Sequence, residues 1–179
     1  AVQQVRFNLN TFVEFGITTP EGAEEALSRI KTNKNLKEAA RESDFVVEAL
    51  PEVMDLKKRI IKELDETCPS HTIIASNTSG LSLTEMVSDI RRQDQAIIAH
   101  WYNPPHIIPV VEIVKGQYTS DQTVDLVYQL LLSIGKKPVK ILKEVPGFLG
   151  NRLQFALYRE ALYCLKEGIA SAEDIDMAV

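Results

Sequence analysis

Apolar positions along this chain alternate between two periods. Val2, Val5, Leu9, Phe12 and Val13 fall near helical spacing, so a helix is predicted over about 1–15, ended by Gly16. Thr19-Pro20-Glu21 gives a capping residue, then Pro at the first helical position, and starts a second helix running to about Arg29. The period then changes. Residues 45–50, 72–75 and 96–99 are short apolar runs of the length and composition of buried strands. Between the first two, Leu56, Ile60, Ile61 and Leu64 share one face of a helix over 55–66, with Lys, Asp and Glu opposite. Between the second two, Ser82-x-x-Glu85 is a capping box that opens a helix to about Ile90. Strand, helix, strand, helix, strand with short joints predicts an α/β fold with a parallel sheet.

The next strand, about 109–114, is separated from 96–99 by too few residues for a helical crossover, so it is expected to run antiparallel. Val124, Val127, Leu130, Leu131 and Ile134 mark another helix closed by Gly135, and 138–142 is a last short strand. From about Asn151 to Glu167 the helical period returns with Gly168 as its stop, and Ser171-x-x-Asp174 opens one more helix. The pattern predicts two domains, an α/β one over 1–145 and the start of an all-α one over 146–179.

Composition narrows the partners. The 179 residues carry a net charge of -5, with basic and acidic residues interspersed, so there is no basic footprint for nucleic acid and no polybasic membrane patch. No apolar run reaches the roughly 20 residues that cross a bilayer. Cys68 and Cys164 form no metal or redox spacing and suit buried thiols in a reducing, cytoplasmic setting; no metal site is expected.

The chemistry-bearing residues gather where strands end. His100 closes the strand 96–99; a Pro-containing turn follows, then a strand carrying Glu112 on an otherwise apolar ladder. Carboxyl ends of parallel strands line the ligand crevice, and a carboxylate on the adjoining strand can fix one imidazole nitrogen while the other takes a proton. Taken by itself, the pair reads more readily as a core histidine capping a loop beside a buried structural glutamate. Ser76-Asn77-Thr78-Ser79-Gly80 follows the second strand and serves either ligand binding or helix capping. Asn151 stands near a helix start, as a cap or with its amide in a crevice. Glu48 and Glu52 flank the end of the first strand, with Lys57 early in the next helix. None of the eight glycines forms G-x-G-x-x-G.

Six blocks in order resemble the L-3-hydroxyacyl-CoA dehydrogenase family. They are Asp44-Phe-Val-Val-Glu-Ala49 with Glu52, Ser76-Asn-Thr-Ser79, His100-x-x-Asn103-Pro104 with Glu112, Gly135-Lys-Lys-Pro-Val139, Pro146-Gly-Phe-Leu-Gly-Asn151-Arg-Leu, and residues 167–176. The resemblance implies a partial Rossmann-like NAD-binding domain, a parallel sheet with antiparallel edge strands, followed by a helical domain that makes a homodimer. It implies His100 as catalytic base, Glu112 as its partner, and Ser79 and Asn151 in the active site. Ala49, Glu52, Lys57, Asn77, Ser79 and Asn103 match positions lining NAD. The implied reaction, of the kind used in fatty acid metabolism, is reversible oxidation of a 3-hydroxyacyl-CoA, short chains favoured. The alternatives are a free 3-hydroxy acid (gulonate- or carnitine-type), or a non-catalytic relative like lambda-crystallin. It also implies that the family's first strand, glycine loop and ribose-binding acid would precede residue 1. Most of the helical domain would follow Val179, so this chain alone is expected to bind NAD poorly and to be inactive.

Overall fold

The computed structural model describes residues 2–179. They form two compact units, one up to residue 39 and one over 40–179. In the first unit, α1 (Val2–Glu14) and α2 (Pro20–Ser28) pack together, and Arg6 bridges to Glu24 at 2.7 Å. Thr19 caps α2 as its sequence predicts, its hydroxyl accepting the Gly22 N–H at 3.1 Å. The expectation that the first helix includes residue 1 lies outside the described residues.

A five-stranded sheet in the order β1-β2-β3-β4-β5 organises the second unit. Its strands are β1 (Phe45–Glu48), β2 (Ile73–Ser76), β3 (Ala96–Trp101), β4 (Val110–Val114) and β5 (Lys137–Ile141). β1, β2 and β3 are parallel; β4 runs antiparallel to β3, and β5 parallel to β4. The remaining helices of the chain are α3 (Leu36–Ala40), α4 (Met54–Thr67), α5 (Leu83–Met86), α6 (Asp121–Ser133), α7 (Gly150–Lys166) and α8 (Ala172–Ala178). Ala75, Ile97, Ala99, Val111 and Ile113 from the sheet pack with Val124, Val127 and Leu131 of α6 as one buried core. Removing that apolar surface from water is the main drive holding helix to sheet. Among the described residues no helix is long and apolar enough to cross a membrane.

Two elements depart from expectation. The helix predicted over 82–90 is only the four residues of α5, although Ser82 does cap it by accepting the Glu85 N–H at 3.2 Å. Ser88 and Asp89 bond to each other instead of continuing the helix, as short polar side chains do. The unforeseen α3 begins where Asn35 accepts the N–H groups of Lys37 and Glu38 at 3.0 and 3.3 Å. Its signal, Asn35-x-x-Glu38, was present in the sequence but followed by only one turn.

Candidate active site

β3 and β4 create the site through their register. His100 and Glu112 are direct cross-strand partners, so their side chains share one face of the sheet. His100 Nδ1 lies 2.8 Å from Glu112 Oε2, with His100 7% and Glu112 1% exposed. An ionised carboxylate accepts only, so Nδ1 carries the proton and Nε2 is left as the basic nitrogen. Glu112 Oε1 accepts the backbone N–H groups of Leu149 at 3.0 Å and Gly150 at 2.8 Å, at the start of α7. Burial by itself would push the Glu112 carboxyl up. The bonds from His100, Gly150 and Leu149 outweigh it and hold the group below its ordinary value. A buried carboxylate thus stays charged beside the imidazole.

The turn before α7 is bent to make this possible. Gly147 has φ 74° and Phe148 φ 49°. A left-handed phenylalanine costs roughly 1–2 kcal/mol. Phe148 is 1% exposed, and its ring meets His100 edge-on with centroids 5.6 Å apart. Packing of that ring and the two amides delivered to Glu112 offset the backbone strain.

Ser79, His100, Tyr102, Asn103, Ile108, Gly150, Asn151 and Gln154 line a cavity at the carboxyl end of β3. Asn151 is not the cap of α7, since Leu149 holds that position; its amide donates instead to the Ser79 carbonyl at 3.1 Å. Four of the residues anticipated from sequence, His100, Ser79, Asn103 and Asn151, therefore border one cavity, with Glu112 directly behind His100. Tyr102, Phe148 and Gln154 were not anticipated.

Ala49, Glu52, Lys57 and Asn77 lie outside that lining. Ala49 and Glu52 occupy the exposed turn after β1. Lys57 is 1% exposed and bonds Glu48 at 2.8 Å and the Leu50 carbonyl at 2.9 Å. Glu48, itself 4% exposed, also accepts the Leu50 N–H and the Ser76 hydroxyl. Glu52 accepts the Thr78 hydroxyl at 2.8 Å and the Ser79 N–H at 2.5 Å. Asn77 accepts the Trp101 N–H at 2.9 Å. These bonds lock the loop after β2, and with it Ser79, to the ends of β1 and β3. Among the described residues no cluster of His, Cys, Asp or Glu has a metal-holding arrangement.

The cavity lining carries amides and hydroxyls and no carboxylate, at the carboxyl ends of parallel strands. That donor set suits an uncharged carboxamide and a substrate hydroxyl, so the residues present fit the nicotinamide end of NAD.

Comparison with known proteins gives the family. Residues 1–145 match the family model described as 3-hydroxyacyl-CoA dehydrogenase, NAD binding domain, and residues 147–179 match its C-terminal domain. The chain is 40% identical over 172 residues to a 3-hydroxybutyryl-CoA dehydrogenase of Clostridioides difficile, covering 96% of this chain and 60% of that protein. It is 38% identical over 159 residues to an L-carnitine dehydrogenase of Nocardiopsis dassonvillei, covering 89% of this chain and 48% of that one. The chain thus spans about half the length of the curated relatives it matches. The crystal structure of (S)-3-hydroxybutyryl-CoA dehydrogenase from Ralstonia eutropha superposes with a TM-score of 0.89 at 35% identity, covering 97% of this chain and 60% of that chain. With family models accounting for both the sheet that carries His100 and Glu112 and the helices after it, the chain belongs to the 3-hydroxyacyl-CoA dehydrogenase family.

Proposed function

We propose that the protein carrying this chain reversibly oxidises a short 3-hydroxyacyl-CoA to the 3-ketoacyl-CoA with NAD, His100 acting as general base. The observation that carries this is the 2.8 Å contact between His100 Nδ1 and a sealed, ionised Glu112 at the edge of a cavity lined by Ser79 and Asn151. NAD, when bound, supplies the hydride acceptor. His100 Nε2 takes the hydroxyl proton, and the O–H electron pair becomes the second C–O bond as hydride departs from the same carbon. Glu112 stabilises the imidazolium that results, and Ser79 and Asn151 orient the substrate oxygens. In this reading Ala49, Glu52, Ser79 and Asn103 would contact the cofactor, and Lys57 and Asn77 would hold the turns that carry them. The exposed apolar side chains of α7, Leu153, Phe155 and Leu162 among them, favour a homodimer of the full-length protein, which its sedimentation coefficient reads directly.

The test is His100→Gln in the full-length protein, assayed by NADH oxidation with acetoacetyl-CoA. A loss of about 10³-fold or more in kcat is expected on the scale of a lost positioned base. Unchanged turnover refutes the assignment. Likeness to an L-carnitine dehydrogenase favours a second reading, a free 3-hydroxy acid as substrate. Wild-type kcat/KM on L-carnitine against 3-hydroxybutyryl-CoA separates the two.

A further inference from the structure

We propose that Lys136 is a positioning residue whose ammonium clamps the loop 102–108 and so holds Asn103 and Ile108 in place as one wall of the cavity beside His100. This rests on the reading of that cavity as the active site. Lys136 belongs to the block Gly135-Lys-Lys-Pro-Val139, to which the reaction itself gives no part. In the loop, Pro104 and Pro105 carry no N–H. The Pro104 carbonyl takes the N–H groups of Ile107 and Ile108 at 3.1 and 3.0 Å, which closes a single turn. One turn leaves the carbonyls after it without a partner inside the turn. Lys136 Nζ meets two of them, donating to the Pro105 carbonyl and, at 3.3 Å, to the Ile108 carbonyl. The same ammonium stands over the Trp101 ring, 5.5 Å from its centroid. Trp101 is the last residue of β3, so one cation ties the strand end to the loop that leaves it.

The backbone places Lys136 for this task. Gly135, with φ 77°, turns the chain out of α6, and the Lys136 N–H donates to the Leu131 carbonyl at 2.9 Å. Lys137 N–H bonds the Pro109 carbonyl at 2.8 Å, where β5 meets β4. The clamp is therefore fixed to the sheet, whereas Asn103, Pro105, His106 and Ile107 of the loop are exposed. A segment with so little buried apolar surface owes its order to such polar contacts. Asn103 and Ile108 line the cavity, so a loosened loop disturbs what is held against them. The bonds of Lys136 go to the loop and not to His100 or Glu112, so the effect falls on binding and not on proton transfer.

The experiment is Lys136→Met in the full-length protein, which keeps the apolar stem and removes the charge. With NADH and acetoacetyl-CoA, the KM for NADH should rise about tenfold, the scale of one hydrogen bond from a charged donor. The kcat should stay within about threefold, and the acid limb of the kcat profile should stay in place. Hydrogen exchange over residues 102–108, read by mass spectrometry, should quicken about tenfold while that of β3 and β4 is unchanged. Lys136→Arg can still donate to both carbonyls and stack on the indole, and should restore both readouts. A lysine with a merely structural role lowers the melting temperature or the yield of active protein and leaves KM where it was. Should Lys136→Met not fold, Lys136→Gln is read in the same way. An unchanged KM, unchanged exchange in the loop, or an arginine that restores neither overturns the proposal. If the wild type turns over neither 3-hydroxyacyl-CoA nor 3-hydroxy acids, the proposed function fails, while the exchange still decides whether Lys136 holds the loop.

Discussion

Glu112→Gln is the substitution that this site makes most informative. Oε1 accepts two backbone N–H groups, and backbone amides cannot turn around. The glutamine oxygen must therefore face Leu149 and Gly150, which puts its NH2 toward His100 Nδ1. Two donors cannot share that 2.8 Å contact, so the neutral ring is forced to the other tautomer, with Nδ1 accepting. Nε2 then carries a hydrogen and no longer serves as base. A wrong tautomer in an otherwise intact site costs on the order of 10⁴-fold in kcat, about 5.5 kcal/mol of transition-state stabilisation. Stability falls less, by about 1–3 kcal/mol, because shape and hydrogen-bond count are kept and the charge assistance is lost. The pH dependence follows from the lowered carboxyl. A carboxylate whose folded value lies below the unfolded one contributes fully above the unfolded value, ordinarily 4.5, and loses the contribution as pH falls through the folded value. The stability deficit of the variant should thus be full at pH 6–8 and shrink below about 4.5. Steady-state kinetics with NADH and acetoacetyl-CoA, and urea unfolding from pH 3 to 8, measure both effects. A kcat within tenfold of wild type, or a deficit that does not shrink in acid, refutes the argument.

Two further substitutions probe the scaffold. Lys57→Met strands the Glu48 carboxylate at 4% exposure and should cost about 3–5 kcal/mol by urea denaturation; the Lys57→Met/Glu48→Gln double variant should recover much of that loss. Equal losses for single and double variants would deny the pair its coupling. Asp65 is 4% exposed and bonds Arg92 at 2.8 Å and the Arg91 N–H at 3.1 Å. Burial would raise its carboxyl, but the Arg91 and Arg92 bonds prevail and hold it below 3.8. Its contribution is then full above 3.8 and fades as pH falls through the folded value, so Asp65→Asn should lower the melting temperature at pH 7 by more than at pH 3. A loss that is the same at both pH values would show that the charge is not what holds Arg92.

The strand ends were legible because their cues are local. Short apolar runs placed β1, β2 and β3, and the short joint after His100 predicted the reversal of β4. Lys57 was harder to read. It was assigned to the charged face of α4, yet it lies four and seven residues before Ile61 and Leu64, on the buried stripe, and is sunk with them. Helical spacing held the signal, but a lysine on an apolar stripe is discounted unless a partner is known, and Glu48 is nine residues away on another element. The role of the Leu149 and Gly150 amides had almost no local sign. Their meeting with Glu112 depends on the path of the chain through α6 and β5, and only the neighbouring Pro146-Gly147 hinted at a forced turn.

The reversal of β4 explains how the proposed base and its carboxylate come to lie side by side in the sheet. Three parallel strands bring their carboxyl ends to one edge, and His100 sits at that edge, bordering the cavity. A fourth parallel strand would have offered another carboxyl end, and an acid there would also meet water. Running backwards, β4 pairs its interior with the end of β3, so Glu112 lies opposite His100 but inside the sheet, 1% exposed. Water is kept from the carboxylate, which strengthens its hold on the imidazole and would ordinarily discharge it by protonation. The first amides of α7 prevent that, because a helix start presents unpaired N–H groups and a partial positive charge. The sheet supplies the geometry of the pair, and the helix that follows it keeps the carboxylate charged.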